Sequence, residues 1–257
     1  MKKSLSRNLG IAAILLLGIT APAVAATVKN IVLVHGAWVD GSGWKPVYQI
    51  LVKDGYHVTM VQEPLTSLQD DVAATKRILD QQSGPTILVG HSYGGSVITE
   101  AGVDPKVVGL VYVAATAADV GEDEGELANR MPSFTAKQKG AIVATPDGFT
   151  YLNRGDFPAD FAPDLPHEQA VFEAQSQILT AGKVFNTPLT AAAWRTKPSW
   201  AIVAGADKII NPNLERWYYA RAHSHTIVAP GASHSVYESR PQTVAAVIEE
   251  AAQHAQP

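Results

Sequence analysis

Short, uninterrupted apolar runs, largely β-branched, recur along the chain at residues 31–34, 86–89, 107–113, 200–203 and 226–228. A strand with one wet face alternates apolar and polar side chains; a strand covered on both faces does not. These runs therefore predict strands buried on both sides, and 57–61 reads as a weaker one. Between them the spacing turns helical. Ser67-Leu68-Gln69-Asp70 resembles a capping box, with Leu68, Val72 and Leu79 along one side of the helix it opens. Behind Pro241, residues Val244, Val247, Ile248 and Ala251 fall at i, i+3, i+4 and i+7. Strand-helix alternation of this kind implies an α/β fold: a mostly parallel twisted sheet with helices on both faces.

One stretch breaks the alternation. From about residue 117 to 197 there is no strong buried run, while Pro132, Phe134, Phe149, Tyr151, Phe157, Phe161, Phe172 and Trp194 accumulate. We expect an inserted helical cap over the sheet, within a single domain spanning 26–257. The acidic run Asp119, Glu122, Asp123, Glu124, Glu126 has no nearby histidine and no calcium-loop spacing, so it predicts a solvated cap entrance rather than a metal site.

The first residues read differently. Lys2, Lys3 and Arg7 precede an apolar run from 9 to 19, and Ala23-Val24-Ala25 follows, the pattern of a secretory signal peptide cleaved after Ala25. The apolar run is shorter than the ~20 residues of a membrane span, so no stable anchor is expected after cleavage, and the mature protein is expected to be periplasmic or secreted. The chain has no cysteine, which excludes disulfides and lipid attachment at a lipobox. Losing three cations takes the formal charge from −4 to −7, which gives phosphate backbones no attraction and excludes nucleic acid as a partner.

The chemistry sits at strand ends. Gly90-His91-Ser92-Tyr93-Gly94 follows the run 86–89 and precedes a helix-like stretch. A sharp strand-to-helix turn lifts a serine hydroxyl above the sheet edge, and glycines two before and two after it avoid Cβ clashes. A hydroxyl is a poor nucleophile until an imidazole takes its proton and a carboxylate orients that imidazole. Asp207 follows the run 200–203, and His234 follows 226–228, both on strand-end loops and in the chain order serine, aspartate, histidine. His57, His167, His223, His225 and His254 occupy no such loop, and the His91 side chain is expected to point away from the nucleophile. A tetrahedral oxyanion needs two amide donors: Tyr93, and Ala37 in the loop His35-Gly36-Ala37-Trp38. His35 is expected to hold that loop and Trp38 to wall the pocket. Trp38, Tyr93, Met131, Phe134 and Trp194 are candidates for substrate contact.

These motifs resemble the α/β-hydrolase superfamily, and most of all the small esterases related to plant methylesterases and hydroxynitrile lyases. The resemblance covers the mature chain apart from the cap. It implies acyl transfer from a small to medium, mostly apolar carboxylic ester, with no metal or organic cofactor, by a monomer or homodimer. In that branch the lyases carry threonine immediately after the loop histidine and lysine immediately after the catalytic histidine. Gly36 and Ser235 stand there in this chain, which argues for hydrolysis. A lyase or cofactor-free perhydrolase using the same three residues, and a non-catalytic ligand-binding protein, are the alternatives.

Overall fold

The computed structural model describes residues 27–255; the leader expected over 1–25 lies outside the described residues. The chain opens into β1 (Asn30–Val34), buried throughout. Next come α1 (Lys45–Lys53), with proline in its first turn, and β2 (His57–Met60). α2 (Leu68–Asp80) begins where Ser67 Oγ accepts the Asp70 amide at 3.1 Å. The Asp70 carboxylate takes the Thr66 and Ser67 hydroxyls instead of returning to the Ser67 amide, so half of the expected capping box forms. β3 (Thr86–His91), α3 (Gly94–Ala101) and β4 (Val107–Val113) follow.

The chain then leaves the sheet through α4 (Glu124–Arg130), β5 (Ile142–Ala144) and β6 (Phe149–Leu152). It continues through α5 (Phe157–Asp160), α6 (His167–Ser176) and β7 (Thr180–Ala181). It returns with β8 (Ser199–Ala204), α7 (Pro212–Arg221) and β9 (His225–Ala229), and finishes with α8 (Val236–Ser239) and α9 (Pro241–His254).

Six strands form one parallel sheet in the order β2-β1-β3-β4-β8-β9. Successive side chains point to opposite faces, so the apolar runs feed two cores. Val32, Val34, Leu88 and Tyr112 pack with α2, α3 and α7 on one face. Ile31, Leu33, Val89 and Val111 pack with α1, α8 and α9 on the other. The α9 residues foreseen as its apolar stripe are all buried there. Covering Val244, Val247 and Ile248 contributes on the order of 5 kcal/mol before entropy is subtracted.

The insertion between β4 and β8 differs from the helical cap that the sequence suggests. β5, β6 and β7 pair antiparallel into a second, three-stranded sheet beside short helices. Its strands have three, four and two residues, too short to show alternation in any window. Trp38 pins this sheet over the main one. Its amide donates to Thr180 Oγ1 at 3.0 Å and its indole Nε1 to Thr150 Oγ1 at 3.1 Å. The Ala181 amide adds a bond to the Leu65 carbonyl at 2.9 Å.

Helix α3 starts so close to its neighbours that side chains are excluded. A Cβ on Gly95 would stand 2.1 Å from the Thr116 carbonyl oxygen. That oxygen is backbone, so it cannot rotate away. Gly95→Ala is expected to cost roughly 3 kcal/mol or more and to lower the thermal midpoint by roughly 6–12 °C. Gly155→Ala, whose Cβ would meet only Asn153 Oδ1 at 3.4 Å, is the control. Circular dichroism melts of the two variants check this; equal midpoints would show that the contact at Gly95 can relax.

Candidate active site

The β3–α3 turn places Ser92 in the left-handed region, at φ +55°. A non-glycine residue there is strained by about 1 kcal/mol, and persists only where its surroundings fix it. The fixing contacts are backbone bonds: the Ser92 amide donates to the Val113 carbonyl at 3.3 Å, and its carbonyl accepts the Gly95 and Thr116 amides at 2.9 and 3.2 Å. Gly90 and Gly94 are needed as expected, since a Cβ on either would lie 2.5 Å from the Gly94 carbonyl oxygen or 2.4 Å from the His35 carbonyl oxygen, respectively. Two further glycines escaped the sequence reading as steric requirements: Gly95, and Gly36, where a Cβ would lie 2.7 Å from Ser92 Cβ.

Ser92, His234 and Asp207 come together as the sequence order implied. His234 Nε2 lies 2.8 Å from Ser92 Oγ, and its Nδ1 lies 2.6 Å from Asp207 Oδ2. A carboxylate only accepts, so Nδ1 carries the proton and Nε2 is free to accept the serine hydroxyl. The other aspartate oxygen, Oδ1, accepts the Ile209 and Ile210 amides at 2.7 and 2.9 Å, which fixes the carboxylate plane. All three side chains are buried.

The loop carrying His234 is held from both sides. Asp164 accepts the Ser233 amide at 3.0 Å, the Ser239 hydroxyl at 2.8 Å and also the Ser233 hydroxyl. Below the imidazole, His91 turns away from Ser92, and its Nε2 donates to the His234 carbonyl at 2.9 Å. Burial, reinforced by the neighbouring His234, holds the His91 pKa well below the ordinary histidine value, so it stays a neutral brace. Phe161 closes the remaining side, edge-on to the His234 ring at 4.8 Å.

His35 holds the neighbouring loop. Its Nε2 accepts the Glu63 amide at 2.9 Å, so its Nδ1 carries the proton and donates to the Gly36 carbonyl at 2.9 Å. With both ring nitrogens engaged it has none left to serve Ser92. Among the described residues, neither the Ala37 amide nor the Tyr93 amide donates to a protein acceptor, and Ala37 lies against the same cavity as Ser92.

That cavity has a volume of about 380 Å³. Trp38 and Met131 line it, as expected. Three other candidates do not. Phe134 is 53% exposed and carries Lys208 Nζ over its ring at 5.0 Å. Trp194 donates from Nε1 to the Ala118 carbonyl at 3.0 Å and packs against the guanidinium groups of Arg195 and Arg221. The Tyr93 ring is buried, and its hydroxyl donates to Asp71 Oδ2 at 2.8 Å. The walls come instead from Ile142, Phe185, Ile209, Ile210, Leu214 and Tyr218. Ile209 and Ile210 were within reach of sequence reasoning, because they follow Asp207 directly; the others sit on cap or α7 segments with no distinguishing pattern. Among the described residues no group of acidic, histidine or cysteine side chains is placed to hold a metal ion, and no helix is long and apolar enough to cross a membrane.

A family model described as the alpha/beta hydrolase family matches residues 31–247. Over 107 residues the chain is 35% identical to a carbendazim hydrolyzing esterase from Nocardioides sp. strain SG-4G, a match covering 36% of this chain but only 44% of that protein. It is 26% identical over 251 residues to a pyrethroid hydrolase from Sphingobium wenxiniae, covering 86% of this chain and 87% of the other. Among solved structures, a methylesterase from Arabidopsis superposes with a TM-score of 0.71 at 18% identity, over 87% of this chain and 98% of that one, which is the likeness in fold that the methylesterase resemblance implies. A parallel sheet with Ser92 at its central turn and a family match spanning most of the sequence give one assignment: the chain belongs to the alpha/beta hydrolase family.

Proposed function

We propose that this protein is a serine esterase that cleaves carboxylic esters of small to medium, mostly apolar substrates. The observation that carries this reading is the unbroken hydrogen-bonded chain from Asp207 through His234 to Ser92, opening into an apolar-walled cavity. Ser92 Oγ attacks the ester carbonyl while His234 Nε2 takes its proton and then delivers it to the departing alcohol. Asp207 holds the imidazole tautomer and balances the imidazolium that forms between the two transfers. Water, activated by His234 in turn, releases the acyl group from Ser92. The Ala37 and Tyr93 amides, free of protein acceptors, are the donors for the oxyanion.

The names of the two relatives support ester chemistry and make a pyrethroid a substrate worth assaying here. Gly36 favours hydrolysis over the lyase alternative. Its missing Cβ would meet Ser92 Cβ at 2.7 Å, so the threonine that lyases carry at this place does not fit the present loop. The leader read from residues 1–25 completes the proposal with an exported enzyme, periplasmic or secreted.

Hydrolysis of p-nitrophenyl esters from acetate to octanoate, and of a pyrethroid, tests the reading. Ser92→Ala and His234→Ala are each expected to lower kcat by about 10³-fold or more. A folded protein inert on every ester, or a Ser92→Ala variant as active as the parent, would overturn it. A fluorophosphonate probe that labels the parent but not Ser92→Ala separates an enzyme from a binding protein.

Tyr93 offers a second test, because its amide and its phenol are assigned different work. Tyr93→Phe keeps the amide but strips Asp71 of the phenol donor in a buried place, where Asp71 Oδ1 already takes the Leu65 amide at 2.8 Å. The expected result is a loss of about 1–3 kcal/mol in chemical denaturation with kcat within about threefold of the parent. A collapse of kcat at unchanged stability would mean that the phenol, not the amide, serves the reaction.

A further inference from the structure

The acidic run between 119 and 126 is half-buried to exposed, and four of its five acids have local partners. Asp119 pairs with Arg195 at 2.7 Å, Glu122 with Arg221 at 2.9 Å and Glu126 with Arg130 at 2.8 Å. Asp123 caps α4 by accepting the Glu126 amide at 2.8 Å. Glu124 alone turns into the cavity that holds Ser92. It is the only carboxylic acid among the cavity's described lining residues, which include no lysine, arginine or histidine.

Among the described residues Glu124 has no counter-ion, only hydroxyls. Its Oε2 lies 3.3 Å from Ser96 Oγ and 3.4 Å from Thr116 Oγ1, and those hydroxyls are 2.8 Å from each other. Both contacts fall on Oε2, leaving Oε1 for a bound molecule. Tyr218 stands in the wall of the same cavity. The Tyr218 ring is fully buried, and among the described residues its hydroxyl has no partner. Polar atoms in protein interiors are almost always satisfied, so the free oxygen of an uncompensated carboxyl that lines a cavity points to a ligand that completes it.

We propose that Glu124 forms a polar subsite that selects esters carrying a protonated amine on the part of the substrate that fills this cavity. An ammonium supplies N–H donors for Glu124 Oε1, and its charge compensates the carboxylate. The aromatic faces of Trp38 and Phe185 wall the same cavity and suit a cation. The proposal deepens the esterase reading and relies on it for turnover, not for binding.

The subsite is pH-dependent. Burial pushes the Glu124 carboxyl up to about 7, against the pull of the Ser96 and Thr116 hydroxyls and with a further push from Asp123. The other titratable groups facing it are the buried Tyr93 and Tyr218 phenols; Arg221, Glu122 and Arg130 in turn face Tyr218. Below this range Glu124 is neutral and tolerates an apolar chain; above it the carboxylate demands a cation.

The test uses the full chain and two esters of equal shape, p-nitrophenyl 6-aminohexanoate and p-nitrophenyl heptanoate. Taking the ratio of their kcat/KM values at each pH cancels the titration of the hydrolytic residues. The ratio is expected to rise about tenfold or more between about pH 5.5 and about pH 8.5. In Glu124→Gln it should be flat within about twofold. Quenching of tryptophan fluorescence in Ser92→Ala by hexylammonium and by hexanol reads binding without turnover; the ammonium should bind about tenfold tighter, and Glu124→Gln should abolish the difference. If neither ester is hydrolysed, the esterase reading fails and the binding measurement alone decides the subsite. A ratio that does not rise, a rise that survives in Glu124→Gln, or hexylammonium binding no tighter than hexanol would overturn the proposal.

Discussion

The structure depends on one crowded backbone crossing. Ser92 can sit at φ +55° only because β3, the start of α3, the loop after β1 and the loop after β4 approach to distances that leave no room for Cβ atoms. Gly36, Gly90, Gly94 and Gly95 are the four positions where those chains touch. Each close approach contributes a hydrogen bond or a steric stop, and together they outweigh the strain at the serine. The arrangement also fixes which groups surround Ser92. The loop after β1 brings the Ala37 amide, the turn itself brings the Tyr93 amide, and Thr116, bonded to the Ser92 carbonyl, forms the floor from which Glu124 is reached.

The second constraint is charge. The interior behind the site contains more carboxyl groups than it can ionise. Glu215 lies beneath Asp207 on α7, fully buried, with Oε2 accepting the Ala204 amide at 3.0 Å and Oε1 without a donor. Burial, and then the Asp207 charge, push its pKa well above the ordinary carboxylate range. Two neighbouring buried carboxyls cannot both ionise, and Asp207 holds two amides and an imidazole while Glu215 holds one amide. Glu215 therefore remains a neutral acid. Glu63, beside His35, is treated the same way: burial first, then Asp71, keep it protonated. Such acids are raised relative to the unfolded chain, so the stability they contribute is fully present below the ordinary carboxylate range and is lost as pH rises through their folded values.

The sheet and the hydrogen-bonded chain at its edge were legible because both follow from short-range pattern. A parallel sheet buried on both faces writes its strands as unbroken apolar runs, and the loops after those runs fall on one edge, so Ser92, Asp207 and His234 could be placed by position alone. The cap was not legible for the opposite reason. Thr150 meets Thr180 across 30 residues, in strands of four and two residues, and neither leaves a periodic signature. The same blindness misplaced Phe134 and Trp194: aromatic residues in a cap segment can face the cavity, the solvent or an arginine, and only the tertiary fold decides. Glu124 was hidden by its company. Four of the five acids in its run have local or surface partners, and nothing in the spacing distinguishes the one that turns inward.

This division between what could and could not be read has a physical consequence for the protein. The groups that define the reaction sit on the sheet edge, fixed by backbone packing that tolerates no side chain at four glycines. The groups that wall the cavity sit on α4, β5 and α7 and on the loops around them, and the inserted segments among them meet the rest of the fold through bonds such as those of Trp38, Leu65 and Asp164. Changes in the cap can therefore alter the cavity wall while leaving Ser92 where it is. A family match across residues 31–247 accordingly carries the fold, whereas the shape of the cavity rests on side chains such as Glu124, Phe185 and Tyr218, whose placement no strand pattern encodes.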